Sequence, residues 1–484
     1  MKLILVFPSW AEEFGDFKHA ARKVSTFPPL NLCILGAIAK AAGWQVELID
    51  AHIERLKDQD LLERARCSRP DLIGLTATTP FYPEAVRVAG LLKRALRVPI
   101  MIGGPHVSFY KEKALEDGWD YAAIGECETT FGLFLKAFAR GEQQPAIPGF
   151  MMKRAGRVFY QGPAPILSDL DEAPAPDRGL LRNELYVLGT PRGKKRYTSI
   201  QMSRGCPFSC VFCANELHGK QVRFRSVASV IAELKQAVTL YGARHIYFVD
   251  DVLTLNRRYI LEVCAALQRY GLKFTFEGSS RANLWDAELV ARLKERGLVR
   301  ISFGLESADE EIRKIIKKEI PMDSYIQANR INNRLGIETT NSVIIGLPGD
   351  TRQSIERTVR YLCAQPEIQH VTLSIAIPYP GTEMFHMAER GAYGLKLVER
   401  DFSKFQRYGS AVMEVNGMRP GELISLQRKA LLRIYACWWR WVPMVKRFGL
   451  RTIVRTGLKN IFFLLRQGWH DRIKKTQVST RGIL

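Results

Sequence analysis

Residues 203–215 read SRGCPFSCVFCAN, which places Cys206, Cys210 and Cys213 at a C-x3-C-x2-C spacing directly behind a β-rich run, YTSIQMS (197–203). Three thiols this close in one loop point to a shared inorganic ligand, but the set is one short for a closed zinc site. Tetrahedral zinc takes four ligands, and His218 or Cys264 would have to complete it. An iron–sulfur cubane normally takes four thiolates as well. Held by three, it keeps one iron open for a further ligand, as catalytic zinc sites do. Gly205 and Pro207 shape a tight wrap, and Phe208, Val211 and Phe212 are placed to keep water from the metal. Polarity and solvent access around such a centre tune its potential.

The loop lies at the head of a repeat. Strand-like runs follow at HIYFVD (245–250), KFTFEG (273–278), RISFGLES (300–307), TTNSVIIG (339–346) and HVTLSIAI (370–377), with long helical patterns between them. Six β/α units predict a barrel or partial barrel with its chemistry at the carboxyl ends of the strands. The cysteines sit at the first such end.

Residues 1–147 alternate in the same way. KLILVF (2–7), QVELID (45–50), DLIGLT (71–76), PIMIG (99–103) and YAAIG (121–125) read as strands. Helical segments such as PLNLCILGAIAKAAG separate them, and Gly43 is a suitable C-cap. This pattern predicts a doubly wound parallel sheet, with ligand groups at FPSW (7–10), TATT (76–79), IGGPH (102–106) and IGECE (124–128). Residues 148–160 read as a hairpin turning at KRAGR, and the proline-rich stretch to 196 as a linker. The expected divisions are therefore 1–147, 148–196, 197–400 and 401–484.

Nine cysteines, most of them scattered, argue against a disulfide framework and for a reducing, cytoplasmic compartment. The first ten residues are too short an apolar run for a signal peptide. No stretch of about 18 uncharged apolar residues predicts a membrane span. The net charge of +22 calls for an anionic partner. From residue 428 onward, 14 Lys and Arg face a single acid, Asp471, and four of the eight tryptophans (438, 439, 441 and 469) lie there. In 453–466 the apolar residues fall near one helical face. Aromatics interleaved with cations suit the inner face of a membrane. A helical lid over the barrel is the plainer reading, and nucleic-acid binding is the weakest, because no recognition fold accompanies the charge.

CPFSCVFC resembles the signature of the radical S-adenosylmethionine (radical SAM) superfamily, with Phe212 as its aromatic position. The resemblance implies a [4Fe-4S] cluster on Cys206, Cys210 and Cys213 whose open iron chelates the amino and carboxylate groups of SAM. One electron, from a donor of flavodoxin or ferredoxin type, then yields a 5′-deoxyadenosyl radical that abstracts hydrogen. By the same resemblance, Asp250 or Asp251 in FVDD would meet the SAM amino group, where the family often has Gly-Gly-Glu. Arg281 would meet a carboxylate, and Glu306 and Ser307 the ribose or amino-acid part. Gly346 in VIIGLPGDT would lie by the adenine. PYPGT (378–382) is similar to the branch that uses cobalamin.

The first domain resembles the cobalamin-binding domain of that branch, in FPPLNLCILGAIAKAAGWQVELIDA (27–51), GLTATTPFYPEA (74–85), IGGPHVS (102–108) and GECETT (125–130). Thr76, Thr78, Gly103, Gly104, Gly125 and Glu126 are the positions it marks for cobalamin. Asp50-x-His52 mimics the familiar Asp-x-His-x-x-Gly, but Arg55 stands where Gly belongs and the motif follows the second strand. The resemblance implies cobalamin with its base displaced and no protein His ligand.

The expected architecture is α/β: a Rossmann- or flavodoxin-like cobalamin-binding domain, a partial (β/α)6 radical SAM barrel and a basic helical C-terminal region. The expected activity is methyl transfer to an unactivated carbon of a hydrophobic substrate, an isoprenoid lipid or a tetrapyrrole. Alternatives are the tetrapyrrole ring closure of the same branch and RNA methylthiolation. The latter would need Cys33, Cys67 and Cys127 around a second cluster. Cys33 and Cys67 read as helical, buried and inert, and no residue is assigned to the chemistry itself.

Overall fold

The computed structural model describes residues 1–9, 27–142, 146–190, 193–214, 217–442 and 445. Strands β1 (Lys2–Phe7), β2 (Gln45–Asp50), β3 (Leu72–Thr76), β4 (Ile100–Gly103) and β5 (Tyr121–Ala123) form a parallel sheet in the order β2-β1-β3-β4-β5. Their unbroken apolar runs follow from having both faces covered. The helices Leu30–Ala41 and Glu128–Ala139 pack on one face through Leu32, Phe131 and Phe134. Asp58–Ser68 and Tyr82–Leu96 cover the other through Leu61, Ala85 and Leu92. The strand order reverses at β1, which opens a crevice at the carboxyl edge.

The hairpin of β6 (Phe150–Arg154) and β7 (Arg157–Tyr160) extends this sheet, because β6 pairs antiparallel with β5. Ala155 and Gly156 at its tip both have positive φ, the requirement of a tight hairpin turn. The proline-rich segment after it is a packed strap. Asp177 takes a salt bridge from Lys40 at 2.7 Å. Tyr186 donates to Asp50 at 2.6 Å. Arg178 is fully buried and donates to the Ser199 carbonyl at 2.7 Å and to Glu233 at 2.6 Å.

The second sheet contains six parallel strands in sequence order: β9 (Gly193–Ile200), β12 (His245–Phe248), β13 (Thr275–Ser280), β14 (Leu298–Glu306), β15 (Glu338–Ile345) and β16 (His370–Ile375). The short edge strand β8 (Val187–Thr190) runs antiparallel to β9. Among the described residues β16 pairs with β15 alone, so the barrel is open, as a partial (β/α)6 barrel should be. Its wall helices bury one stripe each, as in Ile260, Val263, Cys264 and Leu267 of Arg257–Arg269. A two-residue ladder of β10 (Ser203–Arg204) and β11 (Arg223–Phe224) closes the base of the cysteine loop.

Beyond the barrel, β17 (Leu395–Leu397) and β18 (Met413–Val415) pair. The helix Pro420–Ala436 buries Leu423, Ala430 and Ile434 against the wall, and Gln427 donates to the Leu373 carbonyl at 2.9 Å. This helix packs on the outside of the barrel, and none of its residues lines the barrel's cavity. The amphipathic stretch 453–466 and Trp469 lie outside the described residues.

Candidate functional site

A cavity of about 590 Å³ fills the open barrel at the carboxyl ends of its strands, and Cys206, Cys210 and Cys213 all line it. The loop that carries them is fixed by local requirements. Gly205 has φ +95°, and a Cβ there would run into the Gln221 carbonyl, so only glycine fits. The Cys206 amide donates to the Gly219 carbonyl at 3.3 Å, and the Val211 amide to the Ile316 carbonyl at 3.3 Å. Val211 is buried in the barrel core, and Phe212 lines the cavity with the thiols.

Cys213 is reached by solvent through the cavity yet sits deep among protein atoms. That burial, with Asp251 and the other two thiols nearby, pushes its thiol up to about 12. Burial also raises Cys206. Thiols in such a place form thiolates when a cation takes the charge. Among the described residues no three His, Cys, Asp or Glu side chains converge on one point as ligands of a single ion. A cubane makes no such demand, since each of its thiolates holds a different iron. The donor set therefore fits a cluster held by three cysteines.

The acidic pair after β12 divides its work. Asp250 is buried and accepts from Ser203 Oγ at 2.6 Å and the Met202 amide at 3.2 Å, and burial pushes its carboxyl up to about 6. It braces the strand leading into the cysteine loop. Asp251 is exposed in the cavity and is the carboxylate free to meet an amino group there. Arg281 lies with its guanidinium 3.5 Å from the Phe208 ring centroid, and its buried Nε has no hydrogen-bond partner among the described residues. A buried guanidinium N–H without an acceptor fits a site that awaits a carboxylate.

Glu306 ends β14 at φ +63°, after a register shift against β15. Such a backbone costs on the order of 1–3 kcal/mol and is characteristic of binding sites. Its carboxylate accepts from Lys318 Nζ at 2.8 Å inside the cavity. The structure does not bring Ser307 or Gly346 into this cavity. Ser307 is buried against Thr358 at 3.2 Å, and the Gly346 amide donates to Asp350 at 2.9 Å to shape the turn.

Several lining residues escaped the sequence reading. Ser279, Ser302, Ser342, Thr372 and Ser374 set a row of hydroxyls along the inner strand faces. Lys318 and Arg407 come from loops without a motif. Inward-facing small polar residues at alternate strand positions were the available signal.

A second cavity, of about 480 Å³, lies between the carboxyl edge of the first sheet and the barrel. Gly103, Gly104, Gly125 and Glu126 line it, with Phe7, Pro28, Pro29 and Ile34 as apolar wall. Gly104 has φ +100°, and a Cβ there would meet Thr76 Oγ1 at 2.6 Å, so the backbone must stay bare. Thr76 is buried one layer back and accepts from Asn31 at 3.1 Å, while Asn31 reaches the cavity. Thr78 is exposed and outside it. Val249 lines both cavities, so the two adjoin at the end of β12.

Glu126 is the hub between the domains. Arg223 holds it through two hydrogen bonds at 2.9 and 2.6 Å, His218 at 2.7 Å and Arg204 at 3.2 Å. Burial would raise its carboxyl, but these three partners more than offset that and hold it well below the usual carboxylate range.

His52 is buried and does not line the cavity. Cys33 is buried in the helix Leu30–Ala41 as expected, whereas Cys67, expected to be buried, is exposed on the outer side of the helix Asp58–Ser68, across the sheet. They cannot share a cluster. Cys127 lines the second cavity, and burial pushes its thiol up to about 12.

Comparison with known proteins matches this geometry. The family profile of the radical SAM superfamily matches residues 200–362, and that of the B12 binding domain residues 20–135. An uncharacterized methyltransferase of Pyrococcus horikoshii is 32% identical, over 90% of this chain and 92% of its own length. The anaerobic magnesium-protoporphyrin IX monomethyl ester cyclase of Cereibacter sphaeroides is 27% identical, over 96% of this chain and 76% of its own. The hopanoid C-3 methylase of Methylococcus capsulatus is 28% identical, over 83% and 76%. Among solved structures, the radical SAM methyltransferase TsrM of Kitasatospora setae, with cobalamin and a [4Fe-4S] cluster bound, superposes with a TM-score of 0.70 at 17% identity, covering 90% of this chain and 89% of that one. The chain belongs to the radical SAM superfamily, in the branch that joins a B12-binding domain to the barrel, and its cofactors are a [4Fe-4S] cluster, S-adenosylmethionine and cobalamin.

Proposed function

We propose that this chain transfers a methyl group to an unactivated carbon of a hydrophobic small molecule. The observation that carries the reading is the junction of the two cavities at Val249, which lets a substrate in the barrel face both a radical source and a methyl carrier. When bound, the cofactors supply those two species. The protein's own part is to hold and orient them. Cys206, Cys210 and Cys213 would hold the cluster, Asp251, Arg281 and Glu306 would position SAM, and the bare backbone at Gly103, Gly104 and Gly125 would leave room for a corrinoid beside the first domain. The methyltransferase and hopanoid methylase relatives support both the reaction and an isoprenoid-like substrate.

A second reading, oxidative ring closure on a tetrapyrrole, is favoured by the likeness to the cyclase over nearly the whole chain. Incubating the cobalamin-loaded protein anaerobically with SAM, a flavodoxin-type reductant and lipid or tetrapyrrole extracts separates the two. Methyl transfer adds the mass of one methylene to a lipid, with the label of methyl-labelled SAM. Cyclisation adds no label.

The basic C-terminal region is proposed to hold the protein peripherally on an anionic membrane face. Trp438 and Trp441 are strongly exposed, and the ten Lys and Arg of 446–484 face only Asp471. Co-sedimentation with phosphatidylglycerol vesicles, lost on deleting 446–484, tests this. No helix among the described residues is long and apolar enough to cross a membrane.

A further inference from the structure

Among the described residues one histidine, His218, lines the cavity between the domains. It belongs to the barrel, on the loop that returns from the cluster cysteines to β11. Its Nδ1 lies 2.7 Å from Glu126 Oε1. Glu126, gripped by Arg223 and Arg204, is held ionised and can only accept. Nδ1 must therefore be the donor, and in the neutral ring the lone pair is on Nε2. No group among the described residues hydrogen-bonds Nε2, and about a third of the side chain, 32%, is open. The loop is tied down as well, since Arg223 Nη2 donates to the His218 carbonyl at 3.3 Å.

A carboxylate on one ring nitrogen, with the other left without a hydrogen bond on a side chain that lines a cavity, is the arrangement that orients histidines for metals. The carboxylate fixes the tautomer and raises the basicity of the ligating nitrogen. Among the described residues the first domain offers nothing comparable, because His52 is buried off the cavity and His106 turns Nδ1 to Thr79 at 3.1 Å within an aromatic cluster. We propose that His218, oriented by Glu126, is the axial nitrogen ligand of the corrinoid cobalt in its resting form, supplied by the barrel rather than by the B12-binding domain. The family resemblance implies no protein histidine on cobalt, so this chain would depart from it. A ligand that must give way before cobalt can carry a methyl group on that side would link the cysteine loop to the state of the corrinoid.

The proposal rests on the corrinoid reading of this cavity, and one experiment separates the two. The full-length protein is loaded anaerobically with cobalamin, desalted, reduced to the cob(II) state and examined by electron paramagnetic resonance. Retention of the corrinoid is read independently from its absorbance. The expected spectrum shows a nitrogen triplet on the cobalt lines that becomes a doublet when the protein carries 15N-histidine. In His218→Ala the nitrogen splitting is lost while corrinoid is retained. Retained corrinoid without nitrogen splitting in the native protein overturns the assignment. So does a triplet insensitive to the histidine label, which would come from cobalamin's own base, or a doublet that persists in His218→Ala. Failure to retain any corrinoid overturns the cavity reading and the ligand with it. The labelling result needs only the native protein, so it stands even if the variant does not fold.

Discussion

Arg223 grips both carboxylate oxygens of Glu126, at 2.9 and 2.6 Å, and thereby ties the B12-binding domain to the strand that closes the cluster loop. Both side chains are about 5% exposed, so the pair is desolvated. Breaking one half of a buried pair costs about 3–5 kcal/mol, because the other charge is left unpaired. Glu126→Ala should lower unfolding stability by about that amount, and Arg223→Lys by less, since lysine keeps the charge but loses the two-pronged geometry. Glu84→Ala at the surface pair with Arg87 should change it by under about 1 kcal/mol. Anaerobic urea denaturation of the four proteins checks the ranking.

The same residue sets an acid limit. Its folded-state carboxyl is held below its unfolded value, so its contribution is present above the unfolded value and lost as pH falls through the folded one. Asp50, Asp250 and Asp350 are each pushed the other way by burial, to about 6, so protonation does not cost the native state there. Melting temperature should therefore fall below about pH 4.3, the ordinary glutamate value, more steeply in the native protein than in Glu126→Gln. Parallel curves for the two would refute this origin.

Arg281 should govern SAM affinity. A charge-assisted hydrogen bond contributes about 1.5–3 kcal/mol, so Arg281→Ala should weaken SAM binding by about tenfold to a hundredfold. The cluster's absorbance should stay intact. Isothermal titration with SAM on the reconstituted protein provides the measurement, and unchanged affinity would remove Arg281 from the site.

The domains also meet at Gly381, φ +84°, where a Cβ would run into the Phe109 ring. Gly381→Ala should destabilise the protein through both the backbone and this clash, and adding Phe109→Ala should recover part of the loss. Full additivity in a double-mutant cycle would show that the two do not touch.

Much of the site could be read from the chain because short-range rules carry it. The cysteines share one loop, Gly205 needs its conformation, and each strand announces itself by a β-rich run before a glycine or acidic turn. Long-range pairing was out of reach. Nothing local says that the hairpin at 150–160 joins β5, or that the 161–186 strap is packed through Arg178. Glu126 stood out as a loop acid beside a glycine, but the cations that hold it are 78 to 97 residues away. Asp250 and Asp251 are neighbours with equal chemistry, and only burial separates the brace from the free carboxylate. Ser307 and Gly346 follow their strands by one position, and there the chain has already turned out of the cavity.

The central claim is that the three cysteines hold a cluster whose open iron serves SAM. The most direct measurement is anaerobic reconstitution followed by reduction with SAM present, reading iron, sulfide and released 5′-deoxyadenosine together. The account predicts about four irons and four sulfides per chain, with 5′-deoxyadenosine formed by the native protein and abolished in Cys206→Ala, Cys210→Ala and Cys213→Ala. A colourless protein, or SAM cleavage that survives loss of any of the three thiols, would contradict it.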